Sequence, residues 1–180
     1  MDQKQQLQKK IHQTVLEINL DAISHNLRVF KYLLKPRTRL MVMVKAFSYG
    51  SGSYEIASLL QREGVDYLGV AVADEGVELR SAGIAVPVLV MNPQPGSFET
   101  MVRHGLEPEM YNLQALRQFE RVLQQAGETA YPVHLKLDTG MHRLGFMEAD
   151  IPELLRLLRE SQKIRVAGIF SHLAGTDEEV

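Results

Sequence analysis

Four glycines, at positions 64, 83, 105 and 127, constrain this chain more than any other feature. Each closes a run that reads as an amphipathic helix, and each precedes a short apolar stretch. REG leads into VDYLGVAVA, RSAG into VPVLVMN, RHG into LEPEMY, and QQAG into YPVHLKLD. A glycine at such a junction fits the left-handed position that ends a helix without a Cβ penalty. The intervals of 19, 22 and 22 residues match one strand-plus-helix unit. A chain repeating helix, stop and buried strand builds a parallel sheet, because each helix returns it to the same end of the sheet.

The apolar stretches predict six strands, at 40–46, 67–73, 86–92, 106–111, 132–138 and 166–173. Two α/β architectures fit, an open doubly wound sheet and a closed (β/α)8 TIM-type barrel. No GxGxxG follows the first strand and no GxxxxGKS/T occurs anywhere, which weighs against a nucleotide-binding open sheet and favours the barrel. Eight such strands take about 250 residues, so six in 180 residues predict a barrel truncated to about six strands. Upstream, TVLEINL alternates like a further strand, and Asp21 is placed to cap a helix over roughly 22–34 that ends before Pro36. Residues 1–13 read as a polar linker or tail, and 14–180 as one incomplete barrel domain.

Composition narrows the chemistry. A formal charge of −2 gives no basic surface for nucleic acid or anionic lipid. The absence of cysteine removes disulfides, thiolate nucleophiles and thiolate metal ligands, and no metal site is expected. No apolar run approaches the roughly 20 residues of a membrane helix. The polar N-terminus lacks a signal-peptide core, which points to the cytoplasm.

In a βα barrel the chemistry gathers at the C-terminal ends of the strands. There the sequence places Lys45, Asp74 with Glu75, Asn92, Tyr111, the group Lys136, Asp138 and Arg143, and Ser171 with His172. Lys45 stands out because it follows the apolar run LMVMV and precedes the glycine-rich FSYGSGS, where an unpaired buried ammonium would be costly. Each residue alone has a plain explanation. A strand-end lysine snorkels to water. Arg143 would form a surface salt bridge, His172 a core hydrogen bond, and Tyr49 would be a rim aromatic. Asp74 and Glu75 would open a helix, where acidic groups are favoured. Lys136 would pair with Asp138, which shares its side of the strand. Taken together they describe a cationic mouth with few carboxylates, suited to phosphate and carboxylate groups.

These residues match a known family. MVMVKAFSYGSGS resembles the alanine racemase signature of the form VVKANAYGHG, whose lysine carries pyridoxal phosphate. TVLEINLDAISHNL, VHLKLDTGMHRLGF and VAGIFSHLA resemble three further segments of that family, in the same order, so the resemblance spans residues 14–176. AFSYGSGSYE and VAVADEGVELR most resemble the racemase half of a fused bacterial enzyme whose other half is a muropeptide ligase. Residues 1–13 would then be the tail of an inter-domain linker.

The resemblance implies pyridoxal 5'-phosphate as cofactor, racemisation of L- and D-alanine for cell-wall peptidoglycan synthesis, and a homodimer. It implies that Lys45 joins the cofactor covalently and moves the substrate's α-proton, and that Tyr49 holds the cofactor phosphate. Arg143 would meet the substrate carboxylate, and His172 would support the cofactor ring. Lys136 would be the family's lysine that can be carbamylated, orienting Arg143. A C-terminal β domain, absent from this sequence, would carry a tyrosine as second base, so little activity is expected of these 180 residues alone. The sequence departs from the family pattern at Phe47, Ser48 and Ser51, which stand for asparagine, alanine and histidine, and at His142, which stands for the glycine before the arginine. The main alternative is a non-catalytic pyridoxal-phosphate homeostasis protein on the same barrel, which would not need KLDTGMHR.

Overall fold

All four spaced glycines adopt the left-handed backbone, with φ of 70°, 84°, 59° and 74° at Gly64, Gly83, Gly105 and Gly127. In this computed structural model, which describes residues 14–175, they separate the alternating elements as the spacing requires. The order is α1 (Leu20–Leu33), β1 (Met41–Met43), α2 (Lys45–Gly50), α3 (Ser53–Arg62), β2 (Tyr67–Val70), α4 (Ala73–Ser81) and β3 (Val88–Val90). It continues with α5 (Phe98–Arg103), β4 (Glu107–Met110), α6 (Leu113–Ala126), β5 (Tyr131–Leu137), α7 (Ile151–Glu160) and β6 (Ile164–Ser171). The expected linker at 1–13 lies outside the described residues.

The six strands form one parallel sheet in sequence order, β1 to β6, with β1 and β6 at its two edges. This is the α/β arrangement of a barrel taken through six strands. The first four are shorter than their apolar stretches, because pairing ends where the chain turns into the next helix. A bulge between Val133 and His134 shifts the β5–β6 register, raising local twist as such insertions do.

Helices cover the outer face. On α6 the buried Ala115, Leu116, Phe119 and Leu123 recur at helical spacing. Phe119 meets Phe98 and Tyr131 edge-to-face, at centroid distances of 5.1 and 5.6 Å. Each such buried aromatic or leucine contributes about 1.5–3 kcal/mol. The Tyr131 hydroxyl donates to the carbonyls of Met101 and Leu106, and burial raises its pKa. Asn112 caps α6 as its side chain suggests, accepting from the Ala115 amide at 2.7 Å.

Two expectations upstream are corrected. The cap of α1 is Asn19, whose side chain accepts from the Ala22 amide at 3.0 Å, so the helix starts at Leu20 and Asp21 falls in its first turn. TVLEINL forms no strand; residues 14–19 have no regular structure, and Val15 and Leu16 are exposed. Alternation alone does not make a strand: residues 14–19 join none of the six strands of the sheet.

Candidate active site

Side-chain alternation along the strands creates a cavity of about 610 Å³ on the inner side of the sheet. Arg39, Met41, Met43 and Lys45 lie two residues apart, and all four line it. Tyr67, Leu89 and Met91 face it from β2 and β3. His134 and Lys136 come from β5, and Phe170, Ser171 and His172 from the end of β6. The volume is that of a small-molecule site, typically about 300–1,000 Å³. Lys45, Tyr49, Lys136 and His172, singled out from the sequence, are therefore brought to one cavity.

Lys45 follows β1 at the start of an unusual turn. Ala46, Phe47, Ser48 and Tyr49 all have φ between 50° and 56° and ψ between 37° and 50°, a full left-handed turn built without glycine. Such a backbone costs about 1–2 kcal/mol per residue and is tolerated where surrounding contacts over-determine it. The Ser48 amide donates to the Val44 carbonyl at 3.1 Å and the Gly52 amide to the Phe47 carbonyl at 3.1 Å. The Ala46 amide donates to a Glu75 carboxylate oxygen at 2.8 Å. Lys45 makes no ion pair with another described residue. Phe47 is 61% exposed and lines no part of the cavity, so its bulk points away from the amine.

Carboxylates are less scarce than the strand ends suggest. Glu107 and Glu109 are both buried on β4. Glu107 accepts from the Tyr67 hydroxyl at 3.2 Å and stands 2.6 Å from His134 Nε2. Burial, and next the Glu107 carboxylate, raise the Tyr67 pKa. Glu109 has no accessible surface, and Lys136 Nζ stands 3.2 Å from its Oε1. Neither oxygen of Glu109 accepts a well-aligned hydrogen bond. Burial raises its pKa, while Lys136 and Arg143 pull it down. The expected Lys136–Asp138 pair is thus corrected to Lys136–Glu109, because Asp138 has left the strand.

Asp138 instead organises the following loop. Its Oδ1 accepts from the amides of Gly140 and His142, each at 3.0 Å, and these bonds hold its pKa below the usual carboxylate range. His142 takes a left-handed φ of 52°, so the turn is kept although its glycine is gone. The loop returns through Phe146, which exchanges backbone bonds with Lys136 and Asp138. Arg143 is exposed and lines a smaller surface cleft with Asp138 and His142, apart from the Lys45 cavity. His172 and Tyr49 are exposed at the cavity rim. Among the described residues no cluster of three or more metal-ligating side chains occurs, and no helix is long and apolar enough to cross a membrane.

Sequence reasoning missed Arg39, Glu107 and Glu109, and gave Glu75 only a helix-start role. A signal was present for three of them. Arg39 shares the alternation of Lys45, and the two glutamates of EPEM fall on one side of their strand.

A family model described as alanine racemase, N-terminal domain, matches residues 18–180. Alanine racemase 2 of Caldanaerobacter subterraneus is 38% identical over 174 residues, covering 94% of this chain and 44% of its own length. The alanine racemase of Symbiobacterium thermophilum is 39% identical, covering 92% and 44%. Among solved structures, an alanine racemase of Clostridium difficile superposes with a TM-score of 0.85 at 34% identity, covering 92% of this chain and 45% of that one. The same species' alanine racemase in complex with cycloserine gives 0.84 at 36% identity, covering 89% and 44%. The chain spans less than half the length of the relatives it matches.

Proposed function

The chain belongs to the family of alanine racemase N-terminal domains, and on that premise we propose that its cavity binds pyridoxal 5'-phosphate, with Lys45 as the attachment point, and that the whole protein interconverts L- and D-alanine. One observation carries the reading: a lysine amine with no described ion-pair partner reaches a cavity of about 610 Å³. The residues fit the cofactor. The amine can bond its aldehyde, Met43, Leu89, Met91 and Phe170 offer apolar surface to a ring, and Arg39 and Lys136 add positive charge.

When bound, pyridoxal phosphate supplies the electron sink for the negative charge left on the substrate's α-carbon. Lys45 Nζ would take the α-proton from one face of the substrate in one direction of the reaction and deliver a proton to that same face in the other. Tyr49 stands at the rim, where its hydroxyl would donate to the phosphate. His172 would steady the ring from the end of β6. Arg143 would bind the substrate carboxylate with its planar fork, turning from solvent toward the cavity to do so. A second proton-transferring group on the opposite face of the substrate is required for racemisation and is assigned to the rest of the protein, within a homodimer. Cytoplasmic supply of D-alanine for peptidoglycan belongs to the same proposal.

The pairing of Lys136 with Glu109 bears on its charge. Carbamylation would set a second anion against a buried carboxylate 3.2 Å away, and like charges in a dry site repel strongly. The reading therefore leaves Lys136 uncarbamylated and paired with Glu109 beneath the Arg143 loop.

Treatment of the full-length protein with pyridoxal phosphate and then borohydride tests the site. A stable adduct on Lys45, lost in Lys45→Ala, is the expected result; a folded protein without that adduct would defeat the proposal. An adduct without alanine racemisation would favour the non-catalytic cofactor-binding alternative.

A further inference from the structure

Lys45 reaches the cavity because the chain turns at Ala46, and that turn is held from outside its own segment. Within it, four non-glycine residues share a left-handed backbone. Hydrogen bonds of the turn to itself close at Ser48 and beyond. The first amide after Lys45, that of Ala46, has no partner in the turn and donates instead to Glu75 Oε1 at 2.8 Å. The second oxygen of the same carboxylate, Oε2, accepts from the Ala71 amide at 2.7 Å, where β2 passes into α4. One side chain thus ties the exit of β1 to the exit of the neighbouring β2, through two charge-assisted bonds.

Asp74, the preceding acid in the first turn of α4, takes no part in this clamp. Both acids favour the helix start electrostatically, so the pair offers an internal comparison.

We propose that Glu75 is a positioning residue for Lys45: by gripping the Ala46 and Ala71 amides it holds the left-handed turn and so fixes where the lysine amine stands in the cavity. The inference rests on the functional reading above for the meaning of Lys45, and on the geometry alone for the clamp. A carboxylate suits the task because it accepts at both oxygens. Glutamine would present one acceptor and one donor, leaving one of the two amides facing an N–H group.

The test uses the full-length protein with three variants: Glu75→Gln, Glu75→Asp and Asp74→Asn. Amide hydrogen exchange reports the clamp without any cofactor. Exchange over Ala46–Tyr49 should rise about tenfold in Glu75→Gln while the body of α4 is unchanged, as expected for a local opening. Borohydride fixation at limiting pyridoxal phosphate reports the amine, and the yield at Lys45 should fall at least about tenfold, since a misplacement of about 1 Å can slow reacting groups by up to about a hundredfold. Asp74→Asn should alter neither reading. Glu75→Asp keeps the charge but shortens the reach; it should give an intermediate loss, and it decides the matter if Glu75→Gln does not fold.

Unchanged exchange at Ala46–Tyr49 would overturn the clamp. Faster exchange with an unchanged Lys45 yield would overturn the link to the amine. An equal effect from Asp74→Asn would reduce Glu75 to a helix-start charge and overturn the proposal. A wild-type protein giving no Lys45 adduct would sink the cofactor reading instead, and exchange alone would then judge the clamp.

Discussion

Glu109 shows what a single carboxyl group can cost when the strand bearing it faces inward. It has no accessible surface, and its ion-pair partner among the described residues is Lys136. Removing one member of such a pair strands the other. Lys136→Met is expected to lower stability by about 3 kcal/mol, whereas Lys136→Met with Glu109→Met should stay within about 1 kcal/mol of wild type, as urea unfolding of the three proteins would show. The pH dependence has a definite sign. Burial raises the folded-state pKa of Glu109, so the folded form holds the proton longer than the unfolded one. This group's stabilising contribution is complete below the ordinary carboxylate range and is lost as pH rises through the raised value. Unfolding midpoints across that window should fall less steeply in the double variant. The alternation of EPEM put both glutamates on one face, but their partners depend on the β4–β5 register, Glu109 against His134, which no residue of either strand spells out.

At the scale of elements, two loops carry the site, and they differ in how plainly the sequence announces them. The 138–147 loop is marked by Asp138, Gly140 and Gly145. A Cβ at Gly145, whose φ is 143°, would come within 2.4 Å of the Asp138 amide nitrogen. Gly145→Ala should therefore destabilise by about 2–3 kcal/mol, measured by chemical denaturation, since neither backbone can yield. Asp138→Asn weakens the acceptor for two amides, so exchange at Gly140 and His142 should quicken. In the wild type the same protection should be present above the usual carboxylate range and disappear as pH falls through the lowered Asp138 value. The turn after Lys45 is the opposite case. Its four left-handed residues include no glycine, so nothing local predicts the conformation; the Val44 amide donating to the Gly69 carbonyl and the Ala46 amide donating to Glu75 tie it to the neighbouring β2 and α4. The cap of α1 is a similar case: Asn19 and Asp21, two positions apart, are both capping residue types, and the helix start at Leu20 makes Asn19 the cap.

Across the described residues the molecule is built on a six-strand parallel sheet whose order and direction were legible from helix stops spaced by 19–22 residues. Its edges were not, because they depend on what lies beside them. β1 borders an apolar groove of about 340 Å³ lined by Leu27, Phe30 and Met41, and near the opposite edge Ile169 and Leu173 are 62% and 66% exposed. Unpaired edges with apolar flanks associate. The 180-residue chain is expected to self-associate as its concentration rises, which light scattering would detect.

The placement of the reactive amine has a consequence for how this segment can vary. Arg39, Met41, Met43 and Lys45 point one way only because each is separated from the next by one residue. Inserting or deleting a single residue between 39 and 45 would swing the lysine to the helix side of the sheet, whatever its neighbours. Changing the length by two would restore its direction but slide it about 7 Å along the strand. Substitutions among the methionines and valines should be borne far more easily than any change in their number.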